Sequence, residues 1–516
     1  MINRRQFILA KKRYYSKDFS SLQLKDGYIL SFHKQLNIYQ SNQNNQGIII
    51  GFAWQTDPTR CSPIEELDQL LLKTKVKPED VYQMERTWCG RYVLIIESNI
   101  YLDATGMLGI FYSNNALSSS YSILCDVLGI KKKYPDKSFG IGLGFQPGIF
   151  TMHKKIRRLL PSQIYNYTEK KLLYRQLLPE FDSCLYSKNQ ILDTFIYYFK
   201  CSLQNMRATI DGELWLSLTG GHDSRTLMAL LEYAEIPYKC FTLDVTNMSD
   251  GDKVLPQMLA ESTGKPFIFL KRNPWKFSAH KIKEYISHSN GFAKDQDVLS
   301  YAFRQYAKLS KNNHNIVILR SGIWGIVMKY FRQFCDSEGK LDIYKIKKSY
   351  PQLINDGYAM QSLMHYLKYI EKHEALHLDP VDRYHWEIRV GSWLSSIEQS
   401  CDIMDNTTFL QPCNSRIFLT LLAELAKQEK EPWKKYHEEK IIQKCCPKLN
   451  YFAFDDNYPH KLSLKNIILN IYYTFLSKRY LYGIKNTLYN AYCTLQSIQR
   501  LYGFKDWLKY KFKTNK

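Results

Sequence analysis

The stretch Ser217-Leu-Thr-Gly-Gly-His-Asp-Ser-Arg225 joins residue types that together suit the binding of a phosphorylated ligand. Gly220 and Gly221 lack a Cβ, so their backbone amides can come close to an anion. Ser224 adds a hydroxyl, and a helix starting just beyond the glycines would aim the partial positive charge of its N-terminus at the same place. Asp223 does not belong in a purely anionic cradle; its natural use is to hold a Mg2+ ion that neutralises the phosphates. At average residue usage, Gly-Gly-x-Asp-Ser arises by chance in roughly 1% of chains this long, and the demand for a strand before it and a helix after it lowers that figure. The plain alternative is an ordinary tight turn.

The flanking pattern supplies both elements. Leu214 to Leu218 reads as a strand and Arg225 to Tyr233 as a helix; a strand at Lys239 to Leu243, a helix at Lys253 to Ser262 and a strand at Pro266 to Leu270 follow. Strands that alternate with helices at this spacing imply right-handed crossovers and a parallel sheet. Before the loop, Ile191, Leu192, Phe195, Ile196, Phe199 and Leu203 mark a helix that stops before the turn dipeptide Asp211-Gly212. From Asn273 the chain reads as mainly helical, broken by an apolar strand at Ile316 to Leu319.

The first 180 or so residues have a different texture. Gly47 to Trp54, Arg91 to Glu97 and Ile100 to Asp103 are short β-branched and aromatic runs bounded by Asn, Ser and Gly, and Arg157 to Tyr167 reads as a further hairpin. Ser62 to Lys73 carries a helical pattern with Ser62 as N-cap, Pro63 at the first helical position and Glu65 three residues after the cap. This region is therefore expected to be α+β.

Composition bounds the rest. At 516 residues, 45% apolar and 23% charged, the chain has the makeup of ordinary globular material, which excludes collagen-like, fibrous and disordered classes. The twelve cysteines show no C-x-x-C pair and no zinc spacing, which suits reduced thiols better than disulfides. No run of eighteen apolar residues occurs, and only four apolar residues separate the basic clusters near the start, so a cytoplasmic location is expected. Of the net charge of +22, the segment from Lys461 to Lys516 carries +10, from eleven Lys or Arg against the single acid Asp506. Its Tyr, Phe and Trp residues recur at near-helical intervals. Such a tail can contact an anionic surface, membrane or RNA, or can pack an aromatic stripe on the body with its cations toward water.

Leu218-Thr-Gly-Gly-His-Asp-Ser224 resembles the S/T-G-G-x-D-S pyrophosphate loop of the asparagine synthetase family, within the wider group of ATP pyrophosphatases. Gly90 to Ile96 with Tyr101-Leu-Asp-Ala-Thr-Gly-Met-Leu-Gly-Ile-Phe-Tyr112 is similar to the family's amidotransferase-type strand and hairpin, and Leu160-Pro-Ser162 to the hairpin that closes that domain. Asp252 to Ala260 with Gly264 resembles the helix after its second strand, and Ser321-Gly322 the start of its S-G-E-G-x-D-E loop. Trp386-Glu-Ile-Arg389 and Pro412-Cys-Asn-Ser-Arg416 are similar, more loosely, to its E-x-R and P-F-L-D segments.

The resemblance implies three regions: a degenerate glutamine amidotransferase-like domain over 1–183, an Ntn-type α+β sandwich; an α/β ATP-pyrophosphatase synthetase domain over 188–457, mainly helical toward its end; and the basic aromatic tail, 458–516. It implies ATP and Mg2+ as cofactors. Thr219, Gly220, Gly221 and Ser224 would hold the pyrophosphate, Asp223 the Mg2+, the backbone of Leu218 and Leu243 the adenine, and Ser321 and Gly322 would close the pocket. Lys329 and Tyr330 are candidates for the substrate side. His222 fills the family's variable position and is expected to be an exposed loop residue. The reaction implied is that of an asparagine synthase-like carbon–nitrogen ligase: a small-molecule or peptide carboxylate attacks the α-phosphate, and an amine converts the acyl adenylate to an amide.

Three departures accompany the matches. The family's nucleophilic cysteine stands next to the initiator Met, where this chain has Ile2, so glutamine hydrolysis is not expected. The family's second-loop acids fall on Ile323, Ile326 and Val327. No lysine near Pro447 stands in clear register, although Lys440, Lys444 and Lys448 are close in sequence. A nucleotide-binding homologue or scaffold without turnover, and a tRNA-modifying ATP pyrophosphatase, are the alternatives.

Overall fold

Two long neighbouring strands, Gly47–Gln55 and Trp88–Ile96, are apolar on both faces, and a strand of that kind can sit only between two packed layers. The computed structural model describes residues 4–43, 46–131, 147–180, 186–245, 248–271, 305–309, 314–349, 357–375 and 378–457. They pack as two compact units, Met1–Glu213 with Asn273–His437, and Leu214–Arg272 with Glu438–Lys516. The tail 458–516, with its expected helical packing, lies outside the described residues.

In the first unit two six-stranded antiparallel sheets face each other. One runs in the order Arg157–Arg158, Phe111–Tyr112, Ala116–Ser118, Phe7–Ala10, Ile29–His33, Phe19–Gln23; the other runs Lys171–Tyr174, Gln163–Asn166, Asn99–Leu102, Trp88–Ile96, Gly47–Gln55, Ile38–Gln40. Ile48, Ile50, Val93 and Ile95 join Phe7, Leu9, Leu30 and Leu117 in the core between the sheets. The alternate residues Ile49, Tyr92, Leu94 and Ile96 face the other way, onto helices Pro63–Leu70 and Pro78–Glu85, and helix Tyr121–Val127 covers the outer face of the first sheet. The result is a helix–sheet–sheet–helix stack. Ser62 caps the first helix with the reciprocal Ser62–Glu65 bonds its sequence announces.

Two expectations for this region need correction. Arg157 to Tyr167 is not a hairpin: Arg157–Arg158 joins one sheet and Gln163–Asn166 the other, because the chain turns through Leu160 and Pro161 and crosses between layers. The true hairpin partner of Gln163–Asn166 is Lys171–Tyr174. The run after Asn273 is also less purely helical than its sequence suggests. Ile316–Leu319 pairs in parallel with Thr407–Leu410, a strand too short to show a period of its own.

Helix Lys188–Thr209, capped by Ser187, lays Phe195 and Phe199 against Trp324 and Phe418. Helix Arg416–Lys427 packs along it, helix Gly357–Lys372 packs instead on Phe150, Leu160 and Ile388, and Pro380–Tyr384 continues into a π-helix over His385–Leu394. The second unit is the alternating βα region. Strands Glu213–Ser217, Lys239–Leu243 and Phe267–Leu270 are parallel, with Trp215 opposite Lys239 and Phe241 opposite Ile268. Helices His222–Tyr233 and Asp250–Thr263 connect them, and helix Tyr436–Cys445 leads into the segment that returns to the loop. Among the described residues all ten cysteines are free thiols, and no helix is long and apolar enough to cross a membrane.

Candidate functional site: the Thr219–Ser224 turn

A parallel strand that ends in two glycines and reverses into a helix places its turn at the carboxyl edge of the sheet, where ligands of open α/β sheets bind. Here the turn leaves strand Glu213–Ser217 and enters helix His222–Tyr233 with Gly221 as N-cap, extended and with no side chain to satisfy the first-turn amides. Ser224 Oγ accepts from the Thr219 amide at 3.0 Å and lies 2.9 Å from Thr219 Oγ1, while the Gly221 amide donates to Thr219 Oγ1 at 3.3 Å. Asp223 stands half-buried in the first turn of the helix.

Packing bears on Gly220 and on Gly251, whereas Gly221 has room for a Cβ. A Cβ at Gly220 would lie 3.0 Å from Leu255 and 3.3 Å from Asp455, and one at Gly251 would lie 2.2 Å from an Asp455 carboxylate oxygen. Asp455 returns the contact: its amide donates to the Gly220 carbonyl at 3.0 Å, and Ser249 Oγ donates to its carboxylate at 2.5 Å. The Gly220 amide donates to Asp252 Oδ1 at 2.6 Å. Burial raises the Asp252 carboxyl above the usual range and the Asp455 charge adds to that, against the opposing pull of the Gly220 amide and Ser249. A carboxylate oxygen therefore already accepts from one of the amides that a phosphate oxygen would use.

His222 is not an exposed loop residue. It is 7% exposed, stacked on Phe454 with ring centres 3.7 Å apart, and its Nε2 lies 3.2 Å from Glu439. The flat aromatic face and the carboxylate give the ring an apolar surface and a polar partner together, which a position at the head of a helix does not reveal in sequence. Arg225, also unforeseen, is fully buried and donates to the carbonyls of Gly220, Leu449, Phe452 and Ala453, with its guanidinium over Phe454. Burial drives its pKa down to about 9, which Glu439 partly opposes. Its charge thus ties the turn to the segment 449–455. Lys440 and Lys444 are exposed and Lys448 is half-buried.

Leu218 is locked into the sheet: its amide donates to the Phe241 carbonyl at 2.9 Å and its own carbonyl accepts from Thr242 Oγ1 at 2.7 Å. Leu243 ends the next strand opposite Leu270.

The remaining expected site residues belong to the first unit. Ser321 and Gly322 follow strand Ile316–Leu319, and the Gly322 amide donates to Gln411 Oε1 at 2.9 Å. Ile323, Ile326 and Val327, at the positions of the family's acids, are buried, and Trp324 between them packs on Phe195 and Phe199. Lys329 adopts a left-handed backbone at φ 49°, held by its amide donating to Asp382 at 2.7 Å and by Nζ pairing with Asp379 at 3.0 Å. Burial would lower the Lys329 pKa, but Asp379 and then Asp382 outweigh it and raise it. Tyr330 is 55% exposed, beside His385 and Phe331.

The loosely matched segments act inside the first unit. Glu387 accepts from Arg383, Tyr366 and Ser162, and Arg416 bonds Glu85 at 2.9 Å. Asn414 donates to Asp103 at 3.0 Å. Among the described residues no group of three or more His, Cys, Asp and Glu could hold a metal ion unaided. A Mg2+ that shares its shell with phosphates needs only one or two carboxylates, and Asp223 in the helix's first turn fits that smaller demand.

No protein family matches the chain, and no curated protein matches it. Among solved structures it is similar to an NMN synthetase from Francisella tularensis, at 13% identity and a TM-score of 0.21, over 39% of this chain and 92% of that one. It is also similar to a glutamine-dependent NAD+ synthetase from Acinetobacter baumannii in complex with adenosine diphosphate, at 13% identity and a TM-score of 0.19, over 33% of this chain and 31% of that one. Likenesses this faint carry neither fold nor activity across.

Proposed function

We infer that the chain is an ATP-dependent, AMP-forming carbon–nitrogen ligase of asparagine synthase-like type. The observation that carries this reading is the strand–Thr–Gly–Gly–helix turn with Gly221 at the N-cap and Asp223 and Ser224 in the first helical turn. The positive end of helix His222–Tyr233 would receive the β- and γ-phosphates, the turn's amides exchanging their present acceptors for phosphate oxygens, Thr219 and Ser224 would add hydroxyls, and Asp223 would hold Mg2+. Mg2+ supplies charge neutralisation as pyrophosphate leaves. The chain's own residues position the phosphates so that a carboxylate meets the α-phosphorus in line. In this reading Leu218 and Leu243 face adenine, and Ser321, Gly322, Lys329 and Tyr330 keep the roles that the family resemblance implies for them.

The reading carries no glutamine-hydrolysis step, since Cys61, Cys89 and Cys125 are internal residues without the free α-amine that activates such a thiol. The amine is then one the substrate brings. The +10 of Lys461 to Lys516 is proposed as a contact for an anionic surface, membrane or RNA.

A second reading, a nucleotide-binding homologue without turnover, has its own support: Ile323, Ile326 and Val327 serve the core where acids would serve catalysis. Isotopic ATP–pyrophosphate exchange, screened over small acids and peptides, separates the two. Calorimetry tests what both share. Mg-ATP should bind, and Asp223→Ala should weaken it about tenfold or more; equal binding by wild type and variant would remove the phosphate-turn assignment.

A further inference from the structure

Gly220 is held through both of its backbone polar groups by residues of its own unit. Its amide donates to Asp252 Oδ1 at 2.6 Å, and its carbonyl accepts from the Asp455 amide and from the Arg225 guanidinium, each at 3.0 Å. Ser249 Oγ stands between the two acids: it accepts from the Asp252 amide at 3.0 Å and donates to the Asp455 carboxylate at 2.5 Å. Two carboxylates thus flank one glycine, and Asp252 is the one that accepts from its amide. The neighbouring charges have partners of their own. Asp250 pairs with Lys253 at 2.9 Å, His222 Nε2 lies 3.2 Å from Glu439, and Arg225 donates to carbonyl oxygens. Asp223, in the first turn of helix His222–Tyr233, is the residue assigned to Mg2+ above.

Four influences set the protonation of Asp252. Burial favours the neutral acid, the Gly220 amide opposes it, Asp455 adds its charge on the side of burial, and Ser249 acts with the amide. An arriving phosphate upsets this balance. Once a phosphate oxygen takes the Gly220 amide, Asp252 loses the stronger of the two donors that favour its charge, while burial and Asp455 stay as they are. Mg2+ held by Asp223 lowers the charge of the phosphates but gives Asp252 no donor in place of the amide. A neutral carboxyl escapes that penalty and can itself donate its O–H to an oxygen.

We propose that nucleotide binding at the turn is coupled to proton uptake by Asp252: a phosphate oxygen displaces its carboxylate from the Gly220 amide, and the carboxylate takes one proton from solvent. The hydrogen bond from amide to carboxylate is exchanged for one from amide to phosphate, and the negative charge of the acid disappears as that of the phosphate arrives. This coupling rests on the phosphate-turn reading above and adds a control to it, an affinity that rises with acidity.

Calorimetric titration of the full chain with Mg-ATP, over a series of pH values and in buffers of different ionisation enthalpy, counts the protons taken up. Asp252→Asn puts a neutral amide where the protonated acid would be, so it supplies the baseline, including any proton that ATP itself exchanges. Wild type should take up more protons than the variant, the difference approaching one, and its affinity should rise by up to about tenfold more per unit of falling pH across the coupled range. If the variant does not fold, difference infrared spectra of the wild type with and without Mg-ATP decide, since the carbonyl stretch of a protonated carboxyl should appear on binding. Mg-ATP binding with equal proton counts in the two proteins, or without that band, overturns the coupling and leaves the phosphate turn standing. No Mg-ATP binding by the wild type at any pH overturns the phosphate turn and the coupling with it.

Discussion

Arg225 points its guanidinium at four carbonyl oxygens, and burial has already brought its pKa down to about 9. Arg225→Met keeps most of the side-chain volume and leaves those carbonyls without their donor, so the second unit should lose about 3 kcal/mol. Urea midpoints measure this, and a shift smaller than about 0.5 kcal/mol would show that the carbonyls find water instead. Asp252 makes the opposite case. Its folded pKa is raised, so the folded chain holds that proton more tightly than the unfolded chain does. The contribution is stabilising at low pH and is lost as pH climbs from about 3.9, the usual Asp value, through the raised folded value. Asp252→Asn keeps an oxygen for the Gly220 amide and removes the charge. It should flatten stability over that window, leave the protein at least as stable at pH 7, and bind Mg-ATP more tightly, because the anion beside the turn is gone. Weaker nucleotide binding by a folded Asn variant would mean that the carboxylate belongs to the site.

At the scale of elements, strands Gly47–Gln55 and Trp88–Ile96 meet with glycines on either side of the Phe52–Arg91 pair. Gly51 sits at φ 100° and Gly90 at φ 137°, and a Cβ on Gly90 would lie 2.1 Å from the Phe52 carbonyl oxygen. Gly90→Ala therefore collides with backbone in the middle of the sheet and should destabilise by more than about 2 kcal/mol, or prevent folding; a melting temperature within 1 °C of wild type would contradict the close approach. Element by element, what could be read beforehand was what local chemistry determines. The Ser62–Glu65 cap, the β-branched run in Gly47 to Trp54 and the strand–turn–helix around Gly220 each carry their signal within a few residues. The Thr407–Leu410 strand, the crossover at Leu160–Pro161 and the burial of His222 do not, because distant partners decide them: Ile316–Leu319, the second sheet, and Phe454 with Glu439. The same limit hid Arg225, Asp252 and Asp455, whose meaning is their meeting at Gly220.

At the scale of the molecule, the sandwich does not satisfy its own interior. Glu85 is bonded by Arg175 and by Arg416, Asp103 by Asn414, and Arg91 by Asp402. A fragment ending at residue 183 keeps every strand of both sheets and loses three of those partners. It leaves the Arg91 guanidinium without a carboxylate and Glu85 and Asp103 with fewer donors, at a cost of several kcal/mol. Such a fragment should be soluble only as a loosely packed state, with far-ultraviolet circular dichroism near that of a folded sandwich but weak near-ultraviolet signal and strong binding of an apolar dye. A cooperative unfolding transition from the isolated fragment would show that the partners are dispensable.

Those partners also set a clock. Glu85 leaves the ribosome 331 residues before Arg416, Arg91 311 before Asp402, and Arg4 401 before Asp405. At about 5–20 residues per second, the interval between the first and last members of these pairs is tens of seconds. During translation the sheets, whose strands all lie between Phe7 and Tyr174, must therefore wait with their buried-to-be charges short of partners. A ribosome-bound nascent chain of about 390 residues should accordingly bind an apolar dye more strongly than the released full chain, and equal dye binding by the two would show that the waiting sheets are already closed.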